Sequence, residues 1–416
     1  MRRIDPGNFR RATRNTTREI NRRIVLTLVH AHQPISRADL ARRMGISRGM
    51  VTTLVDDLLD EGLIYEGALG AAARGRRPTH LFVRTADRLA AAVDVRQSRT
   101  WVALGDFEGR TLGIESFATV TDPAALADEI AARVTRLVTA HRGTGTCEGL
   151  GVVVPGMVDR RTERVVRAPQ LGWADVDFIS LLRARLTLPC AIENAPIACA
   201  LARMWLAHRD GGDGAARAAD DDANFVYVTV SDGVGTGIVI GGAVLRGAVG
   251  TAGEFGHVPL APDGPRCSCG SRGCWEAFVS NVATRSRFAE LRALRPVGAE
   301  ARGDAADAPL GIDDIVASAL DGDPAALTAV RETGNYLGLG VAMIVNALNP
   351  GMVVVGGEIT GAWPLLEDAL RDALRSRALT PAAAETPVVR DATDMPRLRG
   401  AMALVAAPAW AAPAVG

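Results

Sequence analysis

Gly253-Glu254-Phe255-Gly256-His257, followed by Cys267-Ser268-Cys269-Gly270-Ser271-Arg272-Gly273-Cys274-Trp275-Glu276, is the stretch on which the reading of this chain turns. Three of its six cysteines fall inside this one segment. A tight, glycine-rich loop lets thiolates converge, and a histidine from the preceding segment completes four ligands of the kind that wrap a tetrahedral zinc. His257, Cys267, Cys269 and Cys274 would leave no open coordination position, so the ion is expected to be structural. The alternative is a chance cluster of buried thiols. Disulfides fit less well, because nothing else in the sequence has the cysteine density of a secreted scaffold.

Apolar runs that read as buried strands ending in glycine turns flank this segment. Leu150-Gly151-Val152-Val153-Val154-Pro155-Gly156-Met157-Val158-Asp159 is one, and Leu348-Asn349-Pro350-Gly351-Met352-Val353-Val354-Val355-Gly356-Gly357-Glu358 is another. Between them Phe225–Val230 runs through Ser231-Asp232-Gly233 into Val234–Ile240, a strand-turn-strand whose glycines let backbone N–H groups approach an anion. Strands alternating with helical stretches make this part α/β. The segments 210–224 and 296–309, rich in Gly, Ala and Asp, are expected to be exposed loops.

The first ninety residues read differently. Ile20, Ile24, Leu28 and Val29 recur at helical spacing before Pro34. Ser36 is placed to cap a second helix over residues 37–44, with Asp39 as the third-position carboxyl of a capping box and Gly45 as its stop. Ser47 caps a third helix reaching about Asp60, with Val51, Leu54, Val55, Leu58 and Leu59 as its inward stripe. Helix, short glycine turn, helix is the helix-turn-helix pattern. Two strands, near 63–66 and 80–83, then flank Arg74-Gly75-Arg76-Arg77-Pro78, which gives a wing. The predicted DNA contacts are Arg37, Ser47, Arg48, Gly49, Thr52 and Thr53 toward a major groove, and Arg74, Arg76 and Arg77 toward a minor groove. A small helical bundle with a solvated arginine loop is the competing reading.

Charge sides with nucleic acid. The chain has no lysine and a formal net charge of zero, yet residues 1–90 hold 17 Arg against 9 Asp and Glu. That excess of +8 at one end suits a polyanion. Residues 1–16, with Arg2, Arg3, Arg10, Arg11 and Arg14, are either a phosphate-binding arm or simply unstructured. No apolar run has the length of a membrane span and the start lacks the apolar core of a signal peptide, so a cytoplasmic protein is expected.

The motif Gly-Glu-x-Gly-His, then Cys-x-Cys-Gly-x-x-Gly-Cys-x-Glu, resembles that of the ROK family of repressors and sugar kinases, and the likeness extends over nearly the whole chain. It implies a winged helix-turn-helix ahead of a two-lobed, actin-like (RNase H-like) ATPase-type domain. It further implies Zn2+ on His257, Cys267, Cys269 and Cys274, and sugar contacts from Gly156, Asn194, Glu254, His257 and Glu276. Two departures argue against catalysis. The family's Glu-Asn-Asp-Ala-Asn segment, which carries the base for the attacking hydroxyl, reads Glu193-Asn194-Ala195-Pro196-Ile197, and a methyl group accepts no proton. The family's first phosphate hairpin, Asp-x-Gly-Gly-Thr, reads Asp94-Val95-Arg96-Gln97-Ser98, without the glycines that allow close approach to phosphates.

The expected layout is a basic arm over 1–16, a winged helix-turn-helix over 17–85 and a sugar-sensing domain over 88–416. Within that domain lobe one takes 88–207 plus about 397–416, and lobe two about 208–396. The expected function is a sugar-responsive repressor of carbohydrate uptake or catabolism genes. Its partners would be double-stranded operator DNA, a sugar or sugar-phosphate effector and a second copy of the chain. The alternative is an active sugar kinase or a bifunctional kinase-regulator.

Overall fold

The computed structural model of the chain describes residues 14–69, 79–207, 223–248, 250–294 and 310–406. Residues 1–13, the arginines 74, 76 and 77 of the expected wing tip, and nearly all of the two expected exposed loops lie outside these.

The N-terminal part comprises α1 (Arg14–His32), β1 (Ile35–Ser36), α2 (Arg37–Met44), α3 (Arg48–Asp60), β2 (Ile64–Leu69) and β3 (Thr79–Val83). Its core takes Val25 and Val29 from α1, Leu40 from α2 and Val51, Leu54, Val55 and Leu58 from α3, closing on Ile64 and Leu81, whereas Ile24 of the expected α1 stripe is exposed. The first helix begins earlier than Thr17 and the wing strands run longer than expected. A third strand, β1, pairs antiparallel with β3, Ile35 opposite Leu81, and so ties the start of the helix-turn-helix to the wing.

Ser36 forms the full capping box of α2: its hydroxyl accepts from the Asp39 N–H at 3.2 Å and the Asp39 carboxylate accepts from the Ser36 N–H at 3.3 Å. The Ser36 hydroxyl also donates to Asp39 at 2.7 Å, which leads the effects holding that carboxyl below its usual range. Gly45 ends the helix at φ 64°. Ser36→Ala is expected to cost this domain about 1 kcal/mol, read as a fall in its melting temperature. Because the folded Asp39 pKa is lowered, the cap's contribution is present at neutral pH and is lost as pH falls through that value. The melting difference between wild type and Ser36→Ala should therefore narrow in acid.

The larger part contains two sheets of the same design. The first lobe holds β4 (Arg88–Val95), β5 (Arg99–Asp106), β6 (Thr111–Ala118), α4 (Pro123–Ala140), β7 (Thr146–Val154), β8 (Met157–Asp159), β9 (Arg164–Ala168), β10 (Trp173–Val176), α5 (Phe178–Arg183), β11 (Cys190–Asn194) and α6 (Ala195–Ala207). The second holds β12 (Phe225–Val230), β13 (Val234–Ile240), β14 (Ala243–Val244), α7 (Glu276–Val279), α8 (Asn281–Ala293), α9 (Ile312–Leu320), α10 (Pro324–Leu348), β15 (Met352–Gly356), α11 (Trp363–Arg377), α12 (Pro381–Ala384) and β16 (Val388–Arg390).

Their strand orders are β11-β7-β4-β5-β6 and β14-β13-β12-β15-β16. In each, the first three strands in sequence form an antiparallel meander and the last two add in parallel to the first. This repeated order is the RNase H-like pattern of the two-lobed, actin-like α/β fold. The inner parallel strands are largely buried, as helices covering both faces require, whereas the edge strand β16 exposes Val389 and Arg390.

The C-terminal helix α13 (Pro396–Ala406) returns to the first lobe, where Ala401, Met402 and Ala403 pack with Ala90, Ala92, Val153 and Ala198 of α6. A Cβ on Gly400 would collide with the Ala198 carbonyl, so the two helices cross at backbone contact. The other side of α6 packs Cys199 and Ala200 on Phe225 and Tyr227 of the second sheet, which places this helix between the lobes.

Candidate functional site

Between the lobes lies a cavity of about 430 Å³, a size that accommodates a small organic ligand. Each wall comes from an element end. The β7–β8 turn supplies Gly156, which stands at φ +87° where a Cβ would strike the Arg167 carbonyl. The junction of β11 and α6 supplies Asn194 and Ala195, and the β12–β13 turn supplies Ser231 to Thr236. The metal loop supplies Glu254, His257, Ser268, Cys269 and Glu276. The five predicted sugar-contact residues thus all line one cavity.

Two of their carboxylates are held in place differently. Glu276 is buried: one oxygen accepts from the Val234 N–H at 3.0 Å, the other from the Ser268 hydroxyl at 2.8 Å, and the Cys267 thiol lies 3.4 Å away. It straps the metal loop to the β12–β13 turn. Glu254 is looser. Burial raises its carboxyl above the ordinary range, with the neighbouring Glu276 charge adding to this and His257 opposing it. Asn194 uses its side-chain oxygen to accept from Ile197 N–H at 3.2 Å in the first turn of α6, which leaves its amide N–H groups for the cavity.

The four predicted metal ligands converge: their donor atoms all lie within 4.8 Å of one another. His257 Nδ1 is 3.6 Å from Cys267 Sγ, and Cys269 Sγ is 3.7 Å from Cys274 Sγ. A tetrahedral zinc with ordinary bond lengths separates nitrogen from sulfur by about 3.6 Å and sulfur from sulfur by about 3.8 Å, so the donor set fits a metal of that size. Gly273, at φ +67°, closes the loop where any Cβ would meet the Ala261 carbonyl. Burial pushes the Cys267 thiol up to about 12, whereas the Ser271 N–H leads the groups that bring Cys269 down to about 7. Metal on Nδ1 would fix the tautomer and leave Nε2–H aimed at Glu254, whose Oε2 is 3.9 Å away.

Adjoining this cavity is a second of about 290 Å³, lined by Gly356, Gly357, Glu358, Thr360, Asp391 and Arg397 among others. Arg96, Thr229, Ser231 and Arg397 border both. Arg96 reaches across from the end of β4. Its guanidinium lies 4.6 Å from the centre of the Trp101 ring and donates to Asp94 at 2.7 Å and to Glu358 at 3.1 Å. Glu358 also accepts from Asn281 at 3.0 Å. Burial alone would raise the Glu358 carboxyl, but its own backbone N–H, Asn281, Arg397 and Arg96 hold it below its usual value. Arg397 stands 3.7 Å from the buried Asp94. On another side of the cleft Glu193 is paired with Arg246 at 2.5 Å. Sequence reasoning missed the partner of Arg96 across the cleft, Glu358, which is 262 positions away and carries no local signature.

On the winged helix, Arg48, Gly49, Thr52 and Thr53 form one exposed face of α3, and Ser47 caps it by accepting from the Met50 N–H at 3.3 Å. The threonine hydroxyls donate back to Arg48 and Gly49 carbonyls, at 2.9 and 3.2 Å. Arg37 is engaged within the domain, bonded to Asp56 at 2.9 Å and to Glu66, so that it braces α2 against α3 and β2.

The ROK family profile matches residues 90–407, three quarters of the chain. The chain belongs to the ROK family. The MarR family profile matches residues 22–66, the helix-turn-helix, so the chain is a ROK transcriptional regulator rather than a bare ROK domain. It is 29% identical over 371 residues to a xylose repressor of Bacillus spizizenii, covering 88% of this chain and 89% of that one. A crystal structure of a ROK family transcriptional regulator, a homolog of the E. coli MLC protein, superposes with a TM-score of 0.79 at 25% identity, over 95% of this chain and 97% of its own. A ROK family glucokinase from Streptomyces griseus, crystallised with glucose and AMPPNP, gives 0.65 at 27% identity over 76% of this chain and 98% of its own. The ROK portion is thus shared with kinases and the winged helix with regulators. No helix among the described residues is long and apolar enough to cross a membrane.

Proposed function

We propose that this ROK regulator is an operator-binding repressor of carbohydrate uptake or catabolism genes, with a non-catalytic cleft that senses a sugar or sugar phosphate. The observation that carries this reading is the contrast within one cleft. Glu254, His257, Glu276, Asn194 and Gly156 face a cavity of sugar size, while Ala195 stands where a kinase needs its base. The knot of His257, Cys267, Cys269 and Cys274 takes zinc, and the chain acts as a cytoplasmic homodimer whose wing tip carries Arg74, Arg76 and Arg77. The winged helix ends near residue 85 and the sensing lobes begin near 88. Effector binding between lobes shifts their closure only as far as it binds one arrangement more tightly than the other, and α6, packed on both sheets, conveys the change.

The test is fluorescence anisotropy on operator DNA taken from the chain's own promoter region. Arg48→Ala is expected to weaken specific binding by about tenfold or more and to flatten its salt dependence, with the melting temperature unchanged. Unchanged affinity would sink the assignment of this face. The kinase likeness supports a rival, a bifunctional kinase-regulator, and a coupled ATP assay over hexoses, pentoses and amino sugars separates them: no turnover above background is expected. Ala195→Asp alone is also expected to give none, because Arg96 and Gln97 replace the glycines on which phosphate contact depends.

A further inference from the structure

The passage from the sugar-sized cavity to the second cavity is bordered by Arg96, Thr229, Ser231 and Arg397. Arg96 and Glu358 meet across it, the first from the end of β4 in one lobe and the second from the turn after β15 in the other. Arg96 stands in the hairpin that the family resemblance assigns to nucleotide phosphate. We propose that the Arg96–Glu358 ion pair makes this cleft selective for uncharged, unphosphorylated sugars by filling the space into which a phosphate ester beside Ala195 would project. The inference rests on the sugar-sensor reading and narrows its ligand class.

The charge count supports exclusion. The passage and the second cavity are lined by two guanidinium groups, Arg96 and Arg397, and by two carboxylates, Glu358 and Asp391, while a third carboxylate, the buried Asp94, pairs with both cations from behind. Both cations already face a carboxylate. Arg96 is fixed on three sides, by Asp94, Glu358 and the Trp101 ring, and the half-buried Arg397 has Asp94 as its ion-pair partner at 3.7 Å. Asp94 is itself sealed, with a side-chain exposure of 2%. A sugar phosphate brings a charge of about −1.5 to −2 at neutral pH. To pair with Arg96 it must compete with Asp94 and Glu358, and loss of the cation from the buried Asp94 is strongly unfavourable. A neutral sugar meets no such conflict, since its hydroxyls donate to Glu254 and accept from His257 and Asn194.

The Arg96–Glu358 pair is also the part of this arrangement that substitution can reverse with least disturbance. Glu358→Gln keeps the shape and an acceptor for Asn281 while removing one competing negative charge, so Arg96 can turn to a phosphate. Arg96→Gln breaks the same bridge but removes the cation, and so should not admit the ester.

The experiment measures affinity of the full-length protein, by calorimetry, for D-xylose, D-glucose and N-acetyl-D-glucosamine and for the phosphate ester of each. At least one free sugar is expected to bind, with its ester about 100-fold weaker or undetected. In Glu358→Gln the parent-to-ester ratio should fall at least about tenfold, and in Arg96→Gln it should not. Should Glu358→Gln melt well below wild type, Glu358→Ser serves for the same comparison. An ester that binds as tightly as its parent overturns the proposal, as does an unchanged ratio in the Glu358 variants. The exposed Arg167 at the cavity mouth is the competing anchor, and an ester whose affinity disappears in Arg167→Ala overturns it too. If neither sugars nor esters bind, the sensor reading fails together with this one, a result distinct from binding without discrimination.

Discussion

Cys274→Ala is expected to abolish stoichiometric metal binding and to lower the melting temperature of the second lobe by roughly 10 °C, a loss on the order of 4 kcal/mol. Cys274 is fully buried and its sulfur lies 3.7 Å from that of Cys269, so its removal leaves three donors and a gap on the sealed side of the knot. The loop from Pro265 to Cys274 has little apolar material of its own. Its backbone turns at Gly270 and Gly273 are held by bonds such as Cys267 N–H to Ser271 O at 2.9 Å. Chelation of the wild-type protein should reproduce the effect and return of zinc should reverse it. Elemental analysis and a thermal melt together decide the matter: a chain that carries no metal as purified, or a variant that melts with wild type, would remove the knot from the account of stability.

Much of this architecture was legible because its signals are local. The capping box at Ser36 and Asp39, the stop at Gly45 and the stripe of Val51, Leu54, Val55 and Leu58 need only neighbours three or four positions apart. The same holds for the metal cluster, three of whose ligands fall within one loop. What could not be read depends on distance in sequence. Arg96 and Glu358 are 262 positions apart and meet only because the two sheets face each other with the same strand order.

Arg37 shows the same limit at short range. Its position at the start of α2 suits a DNA contact, but whether a guanidinium faces outward or meets its own domain's carboxylates is decided by where α3 and β2 bring Asp56 and Glu66. Glu276 was legible as a cleft residue, whereas its role as a strap was not. The Val234 N–H that it accepts from belongs to a turn 42 positions earlier. The two-residue strand β1 was missed because no pattern of alternation exists over so short a span, and only its pairing with β3 defines it.

Trp275→Ala should cost about 3 to 5 kcal/mol, a loss comparable to that of Cys274→Ala but with a different signature. Trp275 is fully buried beneath the knot, its ring against Gly340 of α10 so closely that a Cβ there would overlap it, and its Nε1 donates to the Tyr336 carbonyl at 2.9 Å. The residue therefore fastens the metal loop to the long core helix without touching the metal. In Trp275→Ala the four donors remain, so metal content should stay near one per chain while the melting temperature falls. In Cys274→Ala both fall. Trp275→Phe, which keeps most of the ring volume and loses only the N–H bond, should lie much closer to wild type. Loss of metal in Trp275→Ala would show instead that the core shapes the knot. The distinction bears on sensing, because Cys274, Trp275 and Glu276 are consecutive. One belongs to the candidate metal set, the next grips the core of lobe two, and the third holds the β12–β13 turn at the cleft. The anchor on the cleft turn and the anchor on α10 are thus joined by a single peptide bond.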